Sequence, residues 1–388
     1  MTGVQTCALP IYTFKDAATK GVRFTLTDLD TAGMTSLLGA TDPAGLIDYL
    51  RGVRTGEGST YRKRGTPLGD IVNSSPVLVK DLVDAQYSFL SASTAGQSSY
   101  LSFLAGKKAR MPQLFVGSND GMLHAFNDAV GTAAGAETFA FVPRAVLGRV
   151  RNLAEPSYAH RYLVDGPLAE VDVYDATAAK WRNLVVGAGG AGAKNLFAIN
   201  VPVPAPGATV PLTDAQSAPG ASDILWEISS DATGFAELGH VLQTPEAGIL
   251  RDGRWVIAVG NGYDSASGRA HLYLIDAITG DRVAVLDTGV GSSAAPNGLG
   301  GVKLVRDSRQ RIVAAYAGDL RGNLWKFDLS SATSSDWAVA FGGNPLFKAT
   351  NGAGDEEPIT AAPTYTSHPL RGIMVFAGAG KAIRRRLT

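Results

Sequence analysis

Apolar residues in this chain come in short runs that stop at glycine, and four of these runs lead through a turn into Leu-x-x-[Phe/Ile]-[Asp/Asn]. The copies are Val116–Asn127, Val186–Asn200, Val259–Asp276 and Ala317–Asp328. Two apolar runs joined by Gly, Asp and Asn predict a β-hairpin in each copy. The pairs Leu123/Phe126, Leu196/Ile199, Leu272/Ile275 and Leu324/Phe327 keep one spacing, so a common strand geometry is expected for all four. A fifth unit opens at Ile373 and does not reach its Leu-x-x-Phe strand.

The lead glycines Gly117, Gly187, Gly260, Gly318 and Gly378 lie 70, 73, 58 and 60 residues apart. Repetition of one hairpin at such a period predicts an all-β fold, a β-propeller of quinoprotein-like type. About five blades are visible, and the last is incomplete. The long period requires insertions within blades, of which the Pro- and Ala-rich Val201–Gly220 is one. Ahead of the repeats, residues 12–60 read as a helical lead-in. Asp42 is placed to cap a helix with Pro43 at its first position, Leu46, Ile47 and Leu50 form its apolar stripe, and Gly52 ends it. Tyr61–Gly65 (YRKRG) reads as a basic linker, and Gly69–Val79 as the first propeller strand, interrupted by Asn73–Pro76, which suits an edge strand or an inner strand next to a turn. The domain reading is therefore 1–11 as a non-native, adapter-like segment, 12–60 as lead-in and linker, 61–383 as a truncated propeller and 384–388 as a tail.

Composition narrows the function classes. Among 388 residues there are 46 glycines and 19 prolines, with 18% charged residues, which suits a turn-rich β array. Lys plus Arg (35) equals Asp plus Glu (35), so no net electrostatic footprint argues for nucleic acid or an anionic membrane. No apolar run reaches the ~18–20 residues of a membrane helix. Cys7 is the single cysteine and makes no intramolecular disulfide.

At the level of motifs the chain resembles the PilC/PilY-type β-propeller of type IV pilus biogenesis proteins. The resemblance rests on Leu68–Val77 (LGDIVNSSPV), Gly117–Phe126, Gly260–Ser265 (GNGYDS), Tyr316–Ser330 (YAGDLRGNLWKFDLS) and Pro358–Pro363 (PITAAP), joined by Asp48–Gly52 and Tyr162–Tyr174. It implies a propeller of about seven blades forming the C-terminal part of a larger bacterial surface protein, at the pilus tip or outer membrane. It also implies a non-enzymatic role: support of pilus assembly against retraction, adhesion and twitching motility, through contacts with minor pilins and host-surface proteins.

The same resemblance implies a calcium loop, Asp-x-Asp-x-Asp-Gly-x-x-Asp, just before the Tyr316 strand. Here Val305, Asp307, Arg309 and Val313 fall at the four carboxylate positions and Gln310 at the glycine. Calcium takes six to eight oxygen ligands. Asp307 alone remains, among Arg306, Arg309 and Arg311, so no cofactor or metal is expected at this site, and no catalytic residue is assigned anywhere.

Other patterns have plainer explanations. His124, His160, His240, His271 and His368 fall in separate units without metal-ligand spacing. Asp120, Asp264 and Asp319 occupy equivalent turns and suit hairpin chemistry. The glycine clusters Gly187–Gly192 and Gly298–Gly301 lead into no helix and read as tight turns rather than phosphate cradles. Trp181, Trp226, Trp255, Trp325 and Trp337 are spread as core-filling residues. A second reading, a pyrroloquinoline-quinone-dependent dehydrogenase, rests on Leu272–Asp281 (LYLIDAITGD); such enzymes resemble one another in calcium-linked acidic ligands and often an adjacent cysteine pair, whereas this chain has one cysteine.

Overall fold

A computed structural model describes residues 9–131, 134–204, 218–370 and 372–380. The chain divides into two compact units, Met1–Ser229 with Ala277–Gly280, and Ser230–Asp276 with Asp281–Thr388.

The first unit begins with strands β1 (Ile11–Phe14) and β2 (Gly21–Arg23), then helices α1 (Leu26–Thr31) and α2 (Pro43–Leu50). The α2 cap is the one its sequence predicts: the Asp42 carboxylate accepts from Gly45 N at 3.0 Å, and Leu46, Ile47 and Leu50 are buried. The lead-in is not purely helical, however. β1 lies parallel to β6 and antiparallel to β2, and Leu9 and Ile11, set aside as non-native by the sequence reading, are buried in the core of this unit. A four-residue apolar strand with no repeat partner gives no periodicity to detect.

β3 (Val77–Val79), β4 (Gln113–Gly117), β5 (Leu123–Asn127) and β6 (Glu137–Val142) form an antiparallel meander, extended by β1 and β2 to the order β2-β1-β6-β5-β4-β3. The second sheet, β7 (Leu168–Asp175), β8 (Lys180–Ala188), β9 (Asn195–Asn200) and β10 (Ile224–Ser229), is again a four-stranded meander. Val77–Val79 is an edge strand, the first of the two placements that its preceding Asn-Ser-Ser-Pro allows. The Val201–Gly220 insertion joins β9 to β10, and its residues 205–217 lie outside the described residues.

Between β3 and β4 the chain forms helix α3 (Tyr100–Ala109), where the sequence reading has only strand and turn. Tyr100, Phe103, Gly106 and Lys107 are its buried residues, one face at helical spacing. Tyr100 and Phe103 pack with Tyr87 around Trp181, ring centroids 4.7–5.9 Å from it. Beneath them Lys107 Nζ, fully buried, lies 3.0 Å from Asp172 Oδ1 and 3.0 Å from Glu170 Oε1 and donates to Val83 O. Arg110 donates to Asn183 Oδ1 and Glu170 Oε1, so the insertion is tied to β7 and β8 by buried charge as well as by aromatic area.

The second unit holds three sheets. β11 (Glu246–Ile249), β12 (Trp255–Gly260), β13 (Arg269–Asp276) and β14 (Arg282–Gly291) form the first. β15 (Leu299–Arg306), β16 (Ile312–Asp319), β17 (Asn323–Asp328) and β18 (Ala338–Val339) form the next, with β19 (Phe347–Lys348) also on β17. β18 pairs with Phe327 and Asp328, β19 with Asn323 and Leu324, so the outer strand of this blade is split. Between its halves Phe341 and Gly342 take left-handed backbone conformations, φ 58° and 65°. The last sheet pairs β20 (Thr364–Ser367) with β21 (Ile373–Phe376), so the fifth unit does have a hairpin, made with the strand before Ile373 rather than after it.

Inner strands such as β9 and β12 are buried along their whole length by the segments stacked against them, and their sequences are accordingly apolar without alternation. The lead glycines make this stacking possible. A Cβ on Gly117 would lie 2.6 Å from Val164 O, one on Gly260 2.2 Å from Gly300 O, and one on Gly318 2.1 Å from Ile359 Cγ2. Gly187 instead faces the Phe197 ring of its own sheet, and Gly378 faces nothing within 4 Å. The five tryptophans are all buried, as expected of core-filling residues.

Candidate functional site

In the first unit the β4–β5 turn carries an ionic cluster that sequence reasoning treats only as turn chemistry. Asp120 does serve the turn, accepting from Met122 N at 3.1 Å and from Gly69 N at 2.9 Å. It also faces His124 Nε2 at 3.1 Å, while Glu137 Oε1 lies 2.5 Å from His124 Nδ1. Burial alone would pull the imidazole pKa down, but the Asp120 and Glu137 carboxylates more than reverse this and push it up to about 10. His124 is thus a buried imidazolium clamped between two carboxylates.

Beside it lies a recess of 280 Å³ whose lining includes Arg62, Arg64, Asp70, Asp120 and Tyr158. Tyr61–Gly65 is here a packed segment and not a linker. Arg62 lies 4.1 Å over the Tyr158 ring and donates to Leu153 O. Arg64 is buried, pairs with Glu57 at 2.7 Å, donates to Tyr49 O at 2.8 Å and stacks on the Tyr49 ring. The guanidinium planes find aromatic and carbonyl partners that a count of basic residues does not reveal.

In the second unit Asp319 occupies the β16–β17 turn and is fully buried. Its Oδ1 accepts from Arg321 N and Asn323 N, and its Oδ2 from Asn297 Nδ2, Asn323 Nδ2 and Trp325 Nε1, all at 2.8–2.9 Å. Asn261 does the same work in the β12–β13 turn, with Oδ1 accepting from His271 N and Leu299 N. Asp264, in that turn too, is exposed at φ 61°. Asp120 and Asp319 therefore spend their lone pairs within the fold. Of Gly187–Gly192, Gly187 is still in β8 and Gly189–Gly192 lies in the β8–β9 turn, whereas Gly298–Gly301 runs into β15 and is strand rather than turn: a Cβ on Gly300 would meet Thr360 O at 2.5 Å. Among the described residues no three His, Cys, Asp or Glu side chains are grouped as metal ligands; Cys7 lies outside the described residues.

The loop before the Tyr316 strand is a five-residue turn, 307–311, between β15 and β16. The ladder runs on through Val305, paired with Ala314, and Arg306, paired with Ile312, so the first and last carboxylate positions lie in strands. Gln310 takes φ 59°, the left-handed conformation that explains a glycine there. Asp307 Oδ1 accepts from Arg309 N at 2.8 Å and Arg311 N at 3.0 Å, and its Oδ2 pairs with Arg311 at 3.0 Å and Arg251 at 3.5 Å. Burial opposes its charge, but the backbone N–H groups of Arg311 and Arg309 and the Arg311 guanidinium hold its carboxyl below the ordinary value. One committed carboxylate among arginines does not fit a calcium ion.

A cleft of 660 Å³ also lies in the second unit, lined by Tyr316, Leu324, Phe341, Phe347 and Ile373 among others. Phe341 and Phe347 are exposed there, and Lys326 Nζ stands 5.7 Å over the Phe341 ring. No described helix is long and apolar enough to cross a membrane.

Comparison with known proteins gives these features a family. A model of the PilY1 beta-propeller domain matches residues 68–386. The chain is 37% identical over 358 residues to the type IV pilus biogenesis factor PilY1 of Pseudomonas aeruginosa strain PAK, covering 86% of this chain and 28% of that protein. It is 35% identical over 363 residues to a PilY1 homolog of Xylella fastidiosa strain Temecula1, covering 87% of this chain and 23% of that one. The chain thus spans only about a quarter of the length of these curated relatives, which are named as biogenesis factors and not as enzymes. The crystal structure of the P. aeruginosa PilY1 C-terminal domain superposes with a TM-score of 0.62 at 32% identity, covering 78% of this chain and 59% of that one. With blade-like meanders, lead glycines at sheet contacts and a family match over most of its length, the chain belongs to the PilY1 β-propeller family.

Proposed function

We propose that this propeller is the contact module of a type IV pilus biogenesis factor, acting at the bacterial surface with the pilus and performing no catalysis. Its partners are pilus proteins, minor pilins first, and host-surface proteins; its outputs are assembly against retraction, adhesion and twitching. The observation that carries this reading is the match over residues 68–386 together with relatives named type IV pilus biogenesis factors. The chemistry of the turns supports it: His124, Asp120 and Asp319 are buried and bonded to the protein itself, which suits a rigid framework. The Asp307 loop works without calcium, on the same reading.

The test uses the intact protein in its own host, with and without the region 68–386. Loss of surface pili and of twitching on deletion is expected, as is retention of a minor pilin by the intact protein in pull-down. Full twitching without the region would refute the proposal. Dye reduction with an alcohol or sugar after addition of pyrroloquinoline quinone would favour the dehydrogenase reading instead.

A further inference from the structure

We infer that the β15–β16 hairpin is closed by an arginine clasp, in which the guanidinium groups of Arg311 and Arg251 supply the positive charge that a bound cation would otherwise bring to Asp307. Three observations carry this. Arg311 reaches Asp307 Oδ2 through both Nε, at 3.1 Å, and Nη2, at 3.0 Å, while its own backbone N–H binds Oδ1. Arg251 approaches the same oxygen from the β11–β12 turn of the neighbouring sheet, at 3.5 Å. The carboxylate is therefore shared between two hairpins of one unit.

The clasp does not stand alone. Along the same boundary Glu246 pairs with Lys303 at 2.5 Å and accepts from Leu304 N at 3.1 Å, and Arg306 donates to Ala247 O at 2.6 Å. Arg311 itself bridges to Ile249. Positive charge on β15 and its turn meets carboxylate and carbonyl groups of β11, so the hairpin is fixed laterally to the next blade. A cation held by carboxylates would fix the loop only to itself. The clasp makes the hairpin insensitive to calcium and sensitive to ionic strength, because exposed and half-buried ion pairs are screened by salt.

The test reads amide hydrogen exchange over residues 306–312 in the 388-residue chain, and its outcome does not depend on whether the module acts on pili. Exchange is expected to be equal in chelator and in millimolar calcium, faster in molar salt, and roughly two- to tenfold faster in Arg251→Ala/Arg311→Ala. Arg311→Met, which keeps the apolar stem, gives the same direction if the double variant fails to fold. Calcium-dependent protection of the wild-type hairpin would overturn the inference, and so would unchanged exchange in the foldable arginine variant.

Discussion

Lys107→Met tests whether buried charge holds the α3 insertion to its sheet. The Lys107 side chain is fully buried, as is that of Asp172, with Glu170 3% exposed. Removing one partner of a buried pair costs about 3–5 kcal/mol, because the other charge is left unpaired in the interior. Here Arg110 still holds Glu170, and Tyr100 OH and Asn183 Nδ2 still donate to Asp172 at 3.0 and 2.7 Å. The cost should therefore fall near the lower end, about 3 kcal/mol. For a unit of this size that is a fall of roughly 6–12 °C in Tm. Trp181 reports the change directly, since it stacks on Tyr87 at 5.6 Å and Phe103 at 5.9 Å, so urea unfolding followed by its fluorescence is the assay. Lys107→Met/Asp172→Leu removes both charges and should recover most of the loss, since an apolar pair of similar volume is often no less stable. A single-variant cost below about 1 kcal/mol, the range of exposed pairs, would refute the reasoning and mean that water reaches the cluster.

Three further outcomes are expected. Gly318→Ala should destabilise by at least about 1–3 kcal/mol, since its Cβ meets Ile359 at 2.1 Å, whereas Gly378→Ala, with nothing within 4 Å, should stay within about 0.5 kcal/mol; thermal unfolding of the pair decides it. His124 has a folded pKa raised above the ordinary 6.5 to about 10, so its contribution is complete below pH 6.5 and is lost as pH rises through 10; His124→Gln should flatten that part of the stability profile. Glu227, which accepts from Arg144 N, Ala145 N and Asn195 Nδ2, is pushed by burial from 4.5 to about 7 against those donors. Its folded form holds the proton more tightly, so stability should fall as pH climbs from 4.5 to 7, and a profile unchanged in Glu227→Gln would show the shift to be absent.

The inner strands were legible because Leu-x-x-Phe and its lead glycine recur, and recurrence separates a strand from a chance apolar run. The α2 cap was legible because Asp-Pro at a helix start has few other uses. α3 was hidden although Tyr100, Phe103, Gly106 and Lys107 are spaced for a helix, since a buried lysine and a glycine erase its apolar stripe. β1 was hidden because its hairpin partner β2 is three residues long, it belongs to no repeat, and its other neighbour, the parallel β6, lies more than a hundred positions away. Among site residues, Asp307 was singled out only through the family resemblance, and its partner Arg251, 56 positions away, by nothing in the sequence. The His124 clamp needed Glu137 from the following strand, and only the β5–β6 pairing brings it near.

The glycine contacts also bear on how freely the rest of the sequence can drift. Where Gly117 meets Val164, Gly260 meets Gly300 and Gly318 meets Ile359, main chain lies against the adjoining segment at positions that a single methyl group would occupy. Such contacts act as mechanical stops: they set the separation of adjoining layers by peptide dimensions, which no substitution alters. Core side chains between the stops can then exchange size among themselves, a larger one here against a smaller one there, without shifting a neighbouring layer. Insertions at the loops leave the stops untouched as well. Surface variation and a constant internal spacing can therefore coexist in one array, with a handful of glycines serving as its gauge.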